Sequence, residues 1–578
     1  MNNINKTAKQ NAEKWLSSNI SQETKDAIID MMENRPEEFN ESFYKSLEFG
    51  TGGLRGIMGI GTNRMNEITV SMATQGFANH VLNSVNTNRP KVVISYDNRN
   101  RSAEFAMIVA KVFAGNGFEV HLFRELRPTP VLSFAVREFE AHAGVMITAS
   151  HNPKEYNGYK AYWNDGGQLV SPHDTQVIEE AAKIKDISQV KLQEGSDNIY
   201  YIEESFDEVY LSKVMDLSLH PELNQKHSDI KIAFTPLHGT GITMVPKALE
   251  RFGFNNIHLV EAQSIVDGNF PTCESPNPED PSAMKMGLDL AKKVDADILM
   301  ATDPDADRVG IAVRDRSGDF VLINGNQTAT LLTYYILKNY KDIGRLKGNE
   351  MIIKTIVTSE LIQKIADSYD VKTYDVLTGF KFIADKIRSL EGKETYLCGG
   401  EESYGFSIGD FVRDKDAVSS CCILAELVAW AKDQGKTLYD ILIDIYQEYG
   451  LYMEDQVSIT YRGMAGTEKI NSMMREFRNS PPKQVIGLDV VNIKDYQERI
   501  DHDLVQNTKT HIDLPVSNVL QYYLEDGSRF TVRPSGTEPK IKFYFGVKSQ
   551  IQNRDHFETA LKASEQKIEA IIQELGLQ

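Results

Sequence analysis

Cysteine is scarce. The chain has four in 578 residues (Cys273, Cys398, Cys421 and Cys422), too few and too irregular for a disulfide framework and without the paired CxxC spacing of a zinc site. A reduced, cytoplasmic setting is expected. No apolar run approaches the roughly eighteen residues of a membrane span. The opening "MNNINKTAKQNAEKW" has no apolar h-region, so no signal peptide is expected either. Basic residues are outnumbered, 63 against 82, for a net charge of −19. That argues against a nucleic-acid or anionic-membrane partner, whose affinity would come from basic patches. It leaves room for small anionic ligands, which need only a local cluster of donors.

What is present is an ordinary folded composition, 41% apolar and 25% charged, at a length that implies three or four domains. Residues 1–47 alternate acidic, amide and apolar positions and read as one or two surface helices. Beyond them one pattern recurs: an apolar, β-rich run enters a polar or glycine-containing loop, and a helical stretch follows. "KVVISYDNRNRS" (91–102), "AGVMITASHNP" (143–153), "IKIAFTPLHGTG" (230–241), "ADILMATDPDADR" (296–308), "EMIIKTIVTSE" (350–360) and "TYLCGGEESYG" (395–405) all follow it. Near-continuous apolar strands alternating with helices imply buried α/β sheets, in which ligands bind beyond the carboxyl ends of the strands. Breaks fall near 192–208, 314–321 and 448–456, giving three α/β modules. The remainder reads as a smaller α+β domain of short strands around "RPSGTEPK" (533–540). It ends in a helix striped with Phe557, Leu561, Ile568, Ile572 and Leu575.

The strand-end loops carry the chemistry. Ser150 in "TASHNPKEYNGYK" (148–160) is not a hydrolase elbow, because Thr148 and Asn152 stand where Gly-x-Ser-x-Gly needs glycines. If it reacts, something other than a triad activates it; alone, the stretch is equally an Asn-Pro turn. "DPDADR" places Asp303, Asp305 and Asp307 at alternate positions after an apolar strand, a spacing that can bring three carboxylates around one hard cation. An EF-hand would need Gly and Glu where Arg308 and Arg314 stand, and Mg²⁺ is the cation expected. "RPSGTEPK" offers Arg533, Ser535, Thr537 and the backbone of Gly536 to a phosphate dianion, although Pro-Ser-Gly is also common turn chemistry. "GGEESYG" offers Glu401 and Ser403 to sugar hydroxyls, and "GTGGLRG" (50–56) ends an anion-cradling loop with Arg55. Together the loops provide a serine, a metal, a polyol reader and an anion anchor, the parts phosphoryl transfer needs.

This set resembles the α-D-phosphohexomutase family, most closely its glucose-selective bacterial phosphoglucomutase branch. "TASHNP", "DPDADR", "GGEESYG" and "RPSGTEPK" occur in the family's order, supported by "GLRG", "YNGYK", "LTGFK" (377–381) and "RDKDA" (413–417), over about residue 45 to the end. The resemblance implies three similar α/β domains and a smaller, mobile C-terminal phosphate-binding domain, arranged as a heart around a central cleft. On this chain the divisions are 1–205, 206–318, 319–452 and 453–578. It implies that Ser150 carries the phosphoryl group and that Asp303, Asp305 and Asp307 hold Mg²⁺ with a phosphoserine oxygen. Glu401 and Ser403 would bind sugar hydroxyls with Thr378 and Gly379 nearby, and Arg533, Ser535, Gly536 and Thr537 would grip the unreacting phosphate. Arg308, Arg55 and His151 would line the transfer site. Lys160 and Lys415 are both candidates for acid/base work, which would require a lysine pKa lowered by burial or neighbouring cations.

The implied reaction interconverts glucose 1-phosphate and glucose 6-phosphate through a bound glucose 1,6-bisphosphate. Small sugar phosphates are the expected partners of a monomer or weak homodimer. Two departures stand out: Pro304 and Ala306 replace glycines common in the family's metal loop, and residues 1–44 extend beyond its shortest members. Phosphopentomutase and phosphomannomutase activities are the alternatives within the family. A sugar-phosphate hydrolase, with water as acceptor, and a silent sugar-phosphate sensor are the rivals outside it.

Overall fold

The computed structural model describes residues 4–47, 53–461, 463–535, 540–551 and 553–577. Gly536 and Thr537 lie outside these, as do residues 50–52 of the "GTGGLRG" loop. The chain forms two compact units. The first comprises Met1–Asn324, Phe380–Cys398 and Ser403–Gly435; the second comprises Gly325–Gly379, Gly399–Glu402 and Lys436–Gln578.

The first unit opens with three helices, Lys6–Ser17, Gln22–Asn34 and Pro36–Phe43, where one or two were expected. Asn5 and Ser21 cap the first two, and Pro36 starts the third at a position where its missing N–H costs nothing. They are more than a surface appendage. Ala8, Ala12, Ile28, Met31, Phe39 and Phe43 bury one another in a small core of their own.

Six strands follow: β1 (Gly53–Ile57), β2 (Lys91–Tyr96), β3 (Glu119–Phe123), β4 (Ala143–Ile147), β5 (Tyr156–Trp163) and β6 (Ile199–Ile202). They order as β1-β5-β4-β2-β3-β6, parallel from β4 through β6 and antiparallel at β5 and β1. Five more, β7 (Ile232–Thr235), β8 (Ile257–Leu259), β9 (Ile298–Thr302), β10 (Val309–Arg314) and β11 (Phe320–Ile323), order as β11-β10-β9-β7-β8. Here β9, β7 and β8 are parallel, and β10 returns antiparallel beside β9. The continuous apolar runs "AGVMI" and "ILMAT" are buried at every position, as central strands covered on both faces should be.

The two sheets share one device. A buried parallel strand ends in a polar loop, and an antiparallel strand brings the chain straight back. Ser150 sits in the β4–β5 loop, and the three aspartates sit in the β9–β10 loop.

The second unit contains β12 (Glu350–Thr355) and β13 (Lys372–Val376), a parallel pair. The chain continues through β14 (Thr395–Gly400) and β15 (Phe406–Ile408) before its last sheet. That sheet is antiparallel and includes β16 (Leu451–Thr460), β18 (Leu488–Asp495), β21 (Leu520–Leu524), β22 (Arg529–Pro534) and β23 (Lys540–Ser549). The short β17 (Gln484–Val485) pairs with β18, and β19 (Ile500–Asp503) and β20 (Thr508–His511) extend the sheet beyond it. Its longest strands, β16 and β23, pair over ten residues, so they are longer than the short runs read from the sequence. The final helix, Phe557–Glu574, buries Ile568 and Ile571 in this domain's core, with Ile572 and Leu575 packed against it. Phe557 departs from the stripe and stacks on Tyr446 instead. No helix among the described residues is long and apolar enough to cross a membrane. All four cysteines are free thiols.

Candidate active site

Ser150 is 3% exposed and adopts a left-handed backbone conformation with φ 52°, rare for a residue with a side chain. Its N–H donates to Thr148 Oγ1 (2.8 Å). Its Oγ donates to Asp303 Oδ2 (2.9 Å) and lies 3.1 Å from His151 Nδ1. The Ser150 loop and the triple-aspartate loop, 153 residues apart at the bonded positions, therefore meet through a hydrogen bond.

The aspartates converge as the spacing suggested: one oxygen from each of Asp303, Asp305 and Asp307 lies within 4.8 Å of the others. The close packing behind them uses a glycine. A Cβ on Gly239 would stand 2.4 Å from Pro304 Cα, so the 236–241 loop can press against the metal loop only with glycine there. Thr240 then donates N–H (2.7 Å) and Oγ1 (2.9 Å) to Pro304 O. Proline and alanine between the aspartates thus leave the carboxylate spacing intact.

Around the carboxylates stand cations and donors. Lys160 Nζ reaches Asp305 Oδ2 (2.7 Å) and Asp307 Oδ2 (2.9 Å), and Lys415 Nζ reaches Asp307 Oδ2 (3.0 Å) and Asp414 Oδ1 (3.1 Å). Thr129 Oγ1 donates to Asp305 Oδ2 (2.7 Å), and the N–H groups of Asp307 and Arg308 donate to Asp303 Oδ1. Asp305 Oδ1 and Asp307 Oδ1 are buried and accept no hydrogen bond from a described residue. Buried carboxylate oxygens without donors are costly unless a cation takes them. Hard oxygens at this spacing fit Mg²⁺.

The electrostatics point the same way. Burial, then repulsion from Asp305 and Asp307, holds the Asp303 carboxyl well above the usual range. Burial alone would raise Asp307 too, but Lys160, Lys415 and Arg308 outweigh it and hold it far below. The role of base expected of Lys160 calls for a lowered pKa. Burial does work to lower its pKa, but Asp305 and Asp307 overcome it and hold the ammonium above its ordinary value. Burial, with Arg308 and Arg55 nearby, depresses His151 well below 6.5, so the imidazole is neutral at physiological pH.

Strand alternation explains how Lys160 comes to be here. In β5, Tyr159, Ala161 and Trp163 face the hydrophobic core, while Lys160 and Tyr162 point the other way. Tyr162 Oη donates to Asp414 Oδ2 (2.7 Å), which also accepts from Gln168 Nε2 (2.8 Å). Asp414 is thereby fixed as the tether of Lys415. Gly405, last in "GGEESYG", leaves the space that the Lys415 stem fills, since a Cβ there would lie 2.0 Å from Lys415 Cδ.

The remaining expected residues separate into two groups. In the first unit, Arg55 donates to Asn152 Oδ1 (3.0 Å) beside the serine loop, and Arg308 pairs with Glu279 (2.6 Å). Ser403 precedes Tyr404, whose carbonyl accepts from Val309 N (3.0 Å) at the end of the metal loop. In the second unit, Glu401 is buried and accepts from Gly379 N (2.9 Å), a residue at φ 122° where glycine is required. The Thr378 hydroxyl beside it is buried and has no hydrogen-bond partner among the described residues. Glu402 accepts from Thr355 and Thr358 (3.2 and 3.4 Å). Arg533 is the penultimate residue of β22, within 3.4 Å of Tyr544 Oη, and Ser535 N donates to Lys540 O (2.7 Å) across the hairpin.

Sequence reasoning did not find Asp97, Arg99, Thr129, Tyr162 or Asp414. The strand-end rule had singled out the segment holding Asp97 and Arg99. Nothing in its spacing says that Arg99 turns inward, because arginine is rarely buried.

Comparison with known proteins bears on the same loops. The sequence matches the family descriptions "Phosphoglucomutase/phosphomannomutase, alpha/beta/alpha domain I" at 46–188, domain II at 208–318, domain III at 324–449 and the C-terminal domain at 488–562. A phosphoglucomutase of Staphylococcus aureus is 41% identical over 515 residues, 88% of this chain and 91% of its own. One of Staphylococcus epidermidis is 39% identical over 90% of this chain and 93% of its own. Among solved structures, a putative phosphomannomutase of Thermus thermophilus shares the fold with a TM-score of 0.67 at 20% identity, over 92% of this chain and 98% of its own. The exocytosis-sensitive phosphoprotein parafusin of Paramecium, a phosphoglucomutase, does so with a TM-score of 0.64 at 18% identity, over 92% of this chain and 96% of its own. Three α/β domains, a C-terminal domain and a serine bonded to a triple-aspartate loop therefore have one reading: the chain belongs to the phosphoglucomutase/phosphomannomutase family, within the α-D-phosphohexomutase superfamily.

Proposed function

We propose that this protein is a phosphoglucomutase, interconverting glucose 1-phosphate and glucose 6-phosphate with Ser150 as the phosphoryl carrier. The observation that carries the assignment to Ser150 is its 2.9 Å hydrogen bond to Asp303, inside a cluster of three buried carboxylates. Asp303, Asp305 and Asp307 would hold Mg²⁺ together with Ser150 Oγ. When bound, the ion would supply charge neutralisation for the serine oxygen and the phosphoryl group.

In the forward half-reaction the bond between Ser150 Oγ and phosphorus breaks, and phosphorus bonds to the free hydroxyl of the sugar phosphate. That hydroxyl's proton passes to the protein. Glucose 1,6-bisphosphate results, and the reverse step with its other phosphate restores phosphoserine. We assign the proton exchange to Lys160 or Lys415, which stand beside the carboxylates and share Asp307. Lys160, held charged by Asp305 and Asp307, would act in its ammonium form as a proton donor or as their counter-ion. Neutral His151 lies against Ser150 Oγ, and Arg308 and Arg55 add positive charge around the loop.

The groups of the second unit are assigned to recognition. Glu401, Thr378 and Gly379 would read sugar hydroxyls. Arg533, Ser535, Gly536 and Thr537 would bind the phosphate that is not reacting. Free thiols and the lack of a membrane-crossing helix among the described residues support a cytoplasmic site of action.

Intact-mass measurement before and after glucose 1,6-bisphosphate tests the centre. A phosphate-sized gain in dephosphorylated wild type, absent from Ser150→Ala, is expected. Ser150→Ala should also lose at least about four orders of magnitude in kcat. No gain in wild type would refute the carrier. Side-by-side rates on glucose, mannose and ribose 1-phosphates test the sugar, and a ribose rate far above glucose would overturn the assignment to glucose.

A further inference from the structure

The loop carrying Ser150 makes few backbone hydrogen bonds of its own. Asn152 N donates to Ala149 O (3.1 Å) and Tyr156 N to Pro153 O (3.0 Å). Most of its shape comes from one side chain of another loop. Arg99, at the end of β2, donates from one terminal nitrogen to Ser150 O (2.6 Å) and Asn152 O, and from the other to Pro153 O (2.9 Å) and Tyr156 O (3.1 Å). The Arg99 side chain has no solvent exposure. Its Nε lies 3.4 Å from Asp97 Oδ2, and its guanidinium covers the Phe270 ring at 5.1 Å. Asp97 is itself fixed: its Oδ1 accepts from Arg99 N (2.9 Å) and Ser102 Oγ (2.7 Å).

We propose that Arg99 is a positioning residue for phosphoryl transfer, gathering four loop carbonyls so that Ser150 is held in its left-handed conformation with Oγ aimed at Asp303. This rests on reading Ser150 as the phosphoryl carrier. A residue with a side chain occupies that backbone region only where its surroundings impose it. Here the imposing group is a planar fork whose donors diverge in fixed directions, matching four carbonyls spread along the loop. Lysine, a compact charge with three donors on a flexible stem, cannot reproduce that match. Since Asp303 oxygens face both the serine and the metal site, a loop displaced by about 1 Å would misalign attack without removing a reacting group.

The test uses the full-length protein and three variants, Arg99→Lys, Arg99→Gln and Asp97→Asn. It measures kcat and KM for glucose 1-phosphate and the rate of Ser150 phosphorylation by glucose 1,6-bisphosphate. It also measures thermal midpoint and amide hydrogen exchange across residues 148–156. Both Arg99 variants should lose about 100-fold in kcat and a similar factor in phosphorylation rate, with KM changed by less than about threefold. Exchange should accelerate within the loop and stay unchanged in the rest of the first sheet. Asp97→Asn, which keeps the fork, should lose about tenfold, and it carries the test if the Arg99 variants do not fold.

Retention of kcat within about twofold in Arg99→Lys overturns the inference, as does a loss that only follows the unfolded fraction. Accelerated loop exchange with a wild-type phosphorylation rate overturns the positioning role alone. Wild-type protein that never gains phosphate on Ser150 overturns the carrier reading, and this role with it.

Discussion

The serine and aspartate loops of the first unit and the loops proposed for recognition in the second are built on different principles. Ser150 is constrained from several sides: Thr148 and Arg99 fix its backbone N–H and carbonyl, and Asp303 fixes its Oγ. Among the described residues, the buried atoms without hydrogen-bond partners there include the carboxylate oxygens Asp305 Oδ1 and Asp307 Oδ1, whose chemistry suits a cation. In the second unit the group without a hydrogen-bond partner among the described residues beside Glu401 is a neutral hydroxyl, Thr378 Oγ1, while Arg533 and Ser535 sit half-buried at a hairpin end. Arg533 reaches Tyr544 at 3.4 Å, the long end of hydrogen bonding. Reacting groups gain from being fixed in advance, whereas groups that must accept a phosphate from either end of a sugar gain from spare hydrogen-bonding capacity.

Mutations should therefore split by unit. Asp305→Asn removes a carboxylate that faces both Lys160 and the metal site. Its expected effect is a kcat loss of about 1,000-fold and a raised Mg²⁺ requirement, read from a titration of activity against the ion. Equal Mg²⁺ dependence in variant and wild type would break the contrast. Arg533→Ala should instead act on binding, raising KM by about 10- to 100-fold with kcat much less changed, the scale of a lost charge-assisted contact. Steady-state kinetics decides between the two patterns, and a kcat-only defect would place Arg533 with the reacting groups.

The smallest expected difference is in pH-dependent stability, where the units should respond in opposite senses. In the first unit, burial and then His173 hold His80 at about 4, below its ordinary 6.5. The unfolded chain therefore binds that proton first. The contribution is complete above 6.5 and is lost as pH falls through about 4. In the second unit, burial lifts Glu454 from 4.5 to about 7, with Ser359 and Arg529 opposing. Its contribution is complete below 4.5 and is lost as pH rises through about 7. Calorimetry across pH 4 to 8, with His80→Gln and Glu454→Gln, should show each variant flattening one limb. Two variants shifting the same limb would contradict the assignment.

What could be read from the sequence follows the same division. Strand-end loops were visible because a buried parallel strand must be apolar throughout and its loop must not be, so "AGVMI" before Ser150 and "ILMAT" before Asp303 marked themselves. Carboxylate convergence was visible too, since three alternate aspartates have few other uses. The polarity of β5 was not. "YNGYKAYW" mixes lysine into an apolar run, and only the sheet shows that Lys160 and Tyr162 face the carboxylates while Tyr159 and Trp163 face the core. Arg99, Asp414 and Thr129 escaped because their partners are 51 to 252 residues away, and no local period records such distances. The N-terminal helices were read as surface because their apolar residues are sparse, yet six of them are enough to close a small core.

The β4–β5 hairpin works as a ruler. In its register Met146 stands opposite Lys160 and Ile147 opposite Tyr159, so the turn between them sets how far the serine extends and which side chains return toward the carboxylates. A one-residue slip would turn Lys160 into the core and Tyr159 out of it. Insertions and deletions between residues 151 and 155 should therefore be excluded even where substitutions are tolerated. In this hairpin, chain length between Ser150 and Lys160 is as much a part of the candidate site as the side chains themselves.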